Sequence, residues 1–210
     1  MNRREALQRV AMILGGSVIG ANLFLEGCAR SASSAGVENL FAADTVVRLG
    51  DLAEAILPAT STPGAKLAGV GSFIPVWVRD CYTEQQQNAF IEGFAKLDEK
   101  STEFKGKPFQ ELSAEDRTAV AAALEKEAKV YNEKQNEETK EYREKNKLKQ
   151  NELYHELELP PPHWFTLFKQ ITLTGFFNSE MGCTQALRYV KIPGRYDGDL
   201  PYKKGDRAFA

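Results

Sequence analysis

Apolar residues recur along much of this chain at the spacing of one helix face. Leu49, Leu52, Ala53, Ile56 and Leu57 follow the i, i+3, i+4, i+7, i+8 pattern, with Asp44 placed to cap the start and Pro58 to stop the end. Beyond the turn-rich run Ala59-Thr60-Ser61-Thr62-Pro63-Gly64, the residues Val70, Phe73, Ile74, Trp77, Val78 and Cys81 repeat it, with Ser72 as N-cap and Pro75 in the first turn. Thr83-Glu84-Gln85-Gln86 has the form of a capping box, and Phe90, Gly93, Phe94 and Leu97 form the buried side of the helix it opens. Ser113, with Asp116 three residues on, opens a fourth helix.

From Glu125 to Glu152 the pattern changes to Glu, Lys, Gln and Asn with sparse apolar residues such as Val130, Tyr131, Tyr142 and Leu148, as in a long solvated helix. Pro160-Pro161-Pro162 closes that segment. Trp164, Leu167, Phe168, Ile171 and Gly175 then resume a strongly apolar stripe. Between Ile192 and Ala210 the breakers Pro193-Gly194, Asp197-Gly198, Pro201 and Gly205 leave no room for a regular element, so the end reads as an extended, wrapping tail. The expected fold is all-α: an irregular helical bundle with an N-terminal signal helix, one long charged helix and an extended C-terminal tail.

The first residues read as an address. Arg3, Arg4 and Leu7, followed by a charge-free stretch from Val10 to Leu25, resemble a twin-arginine export signal, and the stretch falls short of the roughly 20 apolar residues of a membrane-spanning helix. Leu25-Glu26-Gly27-Cys28 resembles a bacterial lipobox, with Cys28 the acylated thiol, and the Ser/Ala/Gly run behind it suits a flexible tether. The expected organisation is a signal over 1–27, a tether over 28–43 and a helical domain over 44–210. Such a chain is exported to the periplasm and anchored to a bacterial membrane by lipid.

Composition narrows the chemistry. The 210 residues are 42% hydrophobic and 27% charged, enough for one domain with a real core. A net charge of -2 provides no global basic field to hold nucleic acid. Only His155 and His163 are present, both expected at the surface near Pro160, and neither has metal-ligand spacing. Gly69-Val70-Gly71 lacks the preceding strand and third glycine of a dinucleotide fingerprint, and no Gly-x-Ser-x-Gly elbow occurs. No catalytic, cofactor-binding or metal-binding residue emerges. With Cys28 lipidated, Cys81 and Cys183 are left as candidates for a disulfide in an oxidising compartment, a bond that would close about 100 residues and contribute about 4.7 kcal/mol in the chain-entropy model, the alternative being two buried free thiols.

Several strings resemble one family. Ala55-Ile56-Leu57-Pro58-Ala59-Thr60-Ser61-Thr62-Pro63-Gly64-Ala65, then Thr174-Gly175-Phe176-Phe177-Asn178-Ser179-Glu180-Met181-Gly182-Cys183, are similar to the gluconate 2-dehydrogenase subunit 3 family. Ala186-Leu187-Arg188-Tyr189-Val190 and Pro193-Gly194-Arg195-Tyr196-Asp197-Gly198 extend the likeness, with the charged stretch from about Glu125 to Glu158 as a variable insertion. The resemblance implies a non-catalytic small subunit of a membrane-associated dehydrogenase. Its large subunit would be a flavoprotein of the glucose-methanol-choline type carrying FAD, often with a cytochrome c subunit carrying haem. The small subunit would aid the flavoprotein's export, stability and membrane attachment.

The aromatic residues Trp164, Phe165, Phe168, Phe176 and Phe177 are then candidates for the partner interface. So are Arg188, Tyr189, Arg195, Tyr196 and Tyr202 of the tail, because tyrosine and arginine are favoured interface anchors. Two other readings compete. One is a free-standing periplasmic lipoprotein that stacks a small carbohydrate on Trp77 or Trp164, and the other is an oxidoreductase acting alone.

Overall fold

A chain whose apolar residues return every three or four positions buries them by packing helix on helix, and the computed structural model contains helices in the expected order. It describes residues 34–146, 160–192, 194, 197–201 and 203–209. Two units are distinguished, Met1–Ala35 and Gly36–Ala210, and all described residues except Ser34 and Ala35 belong to the second. The export residues Arg3, Arg4 and Leu7, the expected signal helix and Cys28 lie outside the described residues.

The helices are α1 (Ser34–Glu38), α2 (Ala43–Ile56), α3 (Val70–Cys81), α4 (Glu84–Ala95), α5 (Leu97–Lys105), α6 (Ala114–Asn146) and α7 (Trp164–Phe177). Short 3-10 turns stand at Asn39–Phe41 and Phe109–Glu111, and a π-turn spans Gly182–Ala186. The expected tether over 28–43 is thus too long: from Ser34 the chain is helical, and Val37 and Leu40 are buried because both are apolar.

The starts of α2 and α3 differ from expectation. Asp44 lies in the first turn of α2, where its charge favours the N-terminal amides, while Ala42 holds the cap position without a side-chain bond. Helix α3 begins two residues before Ser72, at a left-handed Gly69 (φ 76°), so Pro75 falls inside the helix rather than in its first turn. Gly71 permits the crossing of α2 and α3: a Cβ there would stand 2.6 Å from the Val46 carbonyl oxygen and 2.9 Å from the Gly50 Cα.

The capping box forms as expected, Thr83 N–H donating to Gln86 Oε1 and Gln86 N–H to Thr83 Oγ1. The helix it opens does not run through Leu97. It breaks at Lys96, and α5 sets off so that the Asp98 carboxylate accepts Arg48 Nη2 (2.7 Å) and the Phe109 N–H (3.1 Å). The fourth helix and the charged stretch as far as Asn146 are one element, α6, 33 residues long or about 50 Å. Its apolar contribution ends early: Val120, Ala121, Leu124 and Ala128 are its buried residues, and the exposed ion pairs beyond them, such as Lys129 with Glu133, add little stability.

Helix α7 occupies the centre, packed against α2, α3, α4 and α6. Trp164, Phe165, Leu167, Phe168, Ile171, Thr172, Gly175 and Phe176 are all buried. Phe168 is ringed by Phe90, Trp164 and Phe165 at 6.1, 6.4 and 6.2 Å between centroids, the spacing of favourable aromatic pairs. Gly93 lets α4 approach, because a Cβ at that position would fall 2.1 Å from the Trp164 ring.

His163 caps α7 rather than lying at the surface. Its Nδ1 accepts the Phe165 N–H (3.3 Å), and its own N–H donates to Asn132 Oδ1 (3.0 Å), while Asn132 Nδ2 donates to Thr166 Oγ1 (2.8 Å). Burial lowers the His163 pKa from its ordinary value, with the Glu127 charge opposing and the Lys100 charge assisting. A histidine depressed in the folded state contributes stability at pH above about 6.5 and loses it as pH falls through the folded value. Unfolding free energy is therefore expected to be level above neutrality and to decline on acidification. His163→Asn, which keeps a capping oxygen without titrating there, is expected to reduce that decline. Denaturant titrations at several pH values measure this, and an identical slope in both proteins refutes it.

A braced loop, a capped turn and a closed tail

The two strings that carried the resemblance become two local devices. After α2 the chain turns through residues 57–69, and Glu54, in the last turn of the helix, holds that loop with both carboxylate oxygens. Ala59 N–H donates to Oε1 and Lys66 N–H to Oε2, each at 2.8 Å. Ala65 N–H reaches the Leu57 carbonyl (2.9 Å) and Thr60 N–H that of Thr62 (2.9 Å). Gly64 lies against the brace: a Cβ there would be 2.1 Å from Glu54 Oε1, so the Pro-Gly-Ala of the string is set by the carboxylate behind it.

One helical turn earlier, the buried Asp51 pairs with Lys66 Nζ of the loop and Arg117 Nη1 of α6 (3.5 Å). Arg117 also donates to the carbonyls of Phe109 (3.2 Å) and Gln110 (2.8 Å) while its guanidinium lies over the Phe109 ring. The loop is thereby fixed to α2 and α6, with Thr60, Ser61 and Leu67 facing solvent.

The second string is a helix terminus. The last carbonyls of a helix lack intrahelical partners, and here side chains add to the backbone amides of Asn178 and Ser179: Asn178 Nδ2 donates to Thr174 O (2.8 Å), Ser179 Oγ to Phe176 O (2.6 Å) and Cys183 Sγ to Phe177 O (3.1 Å). Gly182 N–H donates back to Ser179 Oγ (3.0 Å), and a Cβ on Gly182 would collide with Phe176 O.

The expected disulfide is not formed. Cys81 and Cys183 are both free thiols, Cys81 exposed at the end of α3 and Cys183 engaged as a capping donor in the turn after α7.

The aromatic candidates divide. Trp164, Phe168 and Phe176 are spent on the chain's own core, at 8%, 0% and 4% exposure, because the stripe that suggested an interface is the packing face of α7. Phe177, 39% exposed, points outward. Trp77 is half-buried beside Phe73, and burial of Trp164 removes it as a stacking platform. Arg188 and Tyr189 are exposed, whereas Arg195, Tyr196 and Tyr202 lie outside the described residues.

The two ends of the tail meet. Arg188 N–H donates to the Ala208 carbonyl (2.8 Å), Arg188 and Phe209 form a parallel β-bridge, and the Arg188 guanidinium lies 4.1 Å over the Phe209 ring.

Among the described residues no group of His, Cys, Asp and Glu could hold a metal ion, and no helix is long and apolar enough to cross a membrane. Gly69-Val70-Gly71 opens α3 with Gly71 pressed on Gly50 and Val46 of α2. Between α6 and α7 an open hollow of about 420 Å³ has a floor of Phe165 and Leu173 and a rim of Asn132, Asn136 and Gln170. Asn132 is already committed to the α7 cap.

Glu54, Asp51 and Arg117 went unnoticed in the sequence. Only the first lay beside a visible signal, the Ile-Leu-Pro-Ala-Thr string that follows it.

A family model described as gluconate 2-dehydrogenase subunit 3 matches residues 43–194, a range that includes the braced loop and the capped turn and stops inside the tail. No curated protein and no solved structure matches the chain. Since the brace consists of two charge-assisted bonds, Glu54→Ala is expected to lower stability by about 2 kcal/mol. It should also deprotect the amides of Ala59 and Lys66 in hydrogen exchange. Unchanged exchange at both amides would show that the loop holds its shape without the carboxylate.

Proposed function

This chain belongs to the gluconate 2-dehydrogenase subunit 3 family, and from that membership we propose that it is a non-catalytic accessory subunit of a flavin-dependent sugar or alcohol dehydrogenase. The family match across the helical body carries the reading. In it, the partner is a flavoprotein of the glucose-methanol-choline type, FAD and haem c reside in the partner subunits, and this chain escorts, stabilises and tethers the flavoprotein. The resemblance of Arg3, Arg4 and Leu7 to a twin-arginine signal supports export of a folded, flavin-loaded partner in company with this chain. The Cys28 lipobox supports anchoring, because a diacylated cysteine supplies the two chains that lasting membrane attachment needs.

The competing carbohydrate-binding reading rested on Trp77 and Trp164. Trp164 is enclosed by the aromatic core, which removes one of the two platforms, and Trp77 is half-buried beside Phe73. The reading of an oxidoreductase acting alone has only the family's name behind it.

Affinity purification of the tagged, membrane-extracted chain is expected to yield a yellow eluate containing a flavoprotein. A colourless, solitary protein would overturn the proposal. Replacing both Arg3 and Arg4 by lysine is expected to leave this chain and the flavoprotein together in the cytoplasm, assayed by cell fractionation. Normal export of the flavoprotein in that strain would refute the escort role.

A further inference from the structure

Every described residue from Arg188 to Phe209 is exposed, although the segment is closed at its base by the Arg188 and Phe209 contacts. A loose terminus exposes polar residues; this one exposes Tyr189, Val190, Ile192, Leu200 and Phe209, with Ile192 77% open to solvent. The body buries its apolar stripe around α7, while these five side chains, all within 21 residues of one segment, are left open to solvent. The loop is also basic. Lys191, Lys203, Lys204 and Arg207, with Arg188 at the base, outnumber Asp197, Asp199 and Asp206 in a chain whose overall charge is negative.

We propose that this closed C-terminal loop is the element that docks on the dehydrogenase partner, entering an apolar surface rimmed with carboxylates. The inference rests on the accessory-subunit reading and replaces the aromatic stripe of α7 as the docking site. Closure matters because a loop pinned at both ends surrenders less conformational freedom on binding than a free tail. Aromatic and aliphatic side chains supply the contact, and the lysines set register and partner choice. The family match ends at residue 194, inside the loop, so the distal half lies outside the shared pattern and is free to be matched to one particular partner.

The test compares three tagged full-length chains extracted from their own membranes: the natural protein, Ile192→Ser with Leu200→Ser, and Lys203→Glu with Lys204→Glu. The readout is flavoprotein recovered per tagged chain, identified by flavin absorbance and mass. Both variants are expected to retain at least about tenfold less flavoprotein, and added salt should weaken the natural complex more than the glutamate variant. Melting temperatures of the solitary chains are expected to be equal, since Ile192, Leu200, Lys203 and Lys204 are all exposed.

Undiminished flavoprotein in both variants overturns the proposal. Lowered melting of the solitary variants also overturns it, by showing that the loop serves its own body. If the natural chain retains no flavoprotein, the accessory-subunit reading itself falls and takes the proposal with it. Retention of flavoprotein by the variants together with loss of binding to phosphatidylglycerol vesicles assigns the loop to a membrane surface instead.

Discussion

Burial of α7 along most of its circumference is the constraint on which the rest of the molecule depends. A helix carrying Trp164, Phe165, Leu167, Phe168, Ile171 and Phe176 is stable in water only if several neighbours cover it, and α2, α3, α4 and α6 do so. Covering it closely requires a small residue where another helix crosses, hence Gly93 beneath Trp164. It also requires that the helix ends be satisfied without exposing the aromatic stripe. His163 and Asn132 answer that need at one end, and Asn178, Ser179 and Cys183 at the other. Residues that resemble site chemistry in a list are here mostly the terminal fittings of one buried helix.

The same economy applies to the first recognisable string. Its prolines, threonines and glycine look like a flexible linker, yet Glu54 clamps two of its amides and Asp51 pairs with its lysine. A loop so fixed presents Thr60, Ser61 and Leu67 in a constant arrangement. The long helix α6 contrasts with it: after Ala128 it contributes no buried residue, which suits a segment that varies without disturbing the core.

For an accessory subunit, this division of labour is physically sensible. The core spends its large aromatic side chains on stability and keeps none of the buried ones for a partner. On the proposed reading, contact with a partner would fall to elements outside the core: the outward Phe177, the braced loop and the closed tail. Each is attached at a point where a side chain or backbone bridge limits its freedom, so association would order little that is not ordered already.

Periodicity alone determined that the chain is all-helical, where most helices lie, which face of α7 is apolar, and that Thr83 and Gln86 form a capping box, because each of these is a local property of neighbours three or four residues apart. The two strings, which lie within the matched range, pointed to the family and are likewise local, each a run of neighbouring residues. Tertiary packing decided the rest. Whether the stripe of Trp164, Phe168 and Phe176 meets a partner or the chain's own helices has no local signature, since burial looks the same from either source. Nor could spacing show that Cys183 would cap a helix rather than bond Cys81, that Asp51 would meet Arg117 across sixty-odd residues of chain, or that Arg188 would find Phe209. Such contacts depend on where helices cross, and the crossings are set by the whole set of side chains at once.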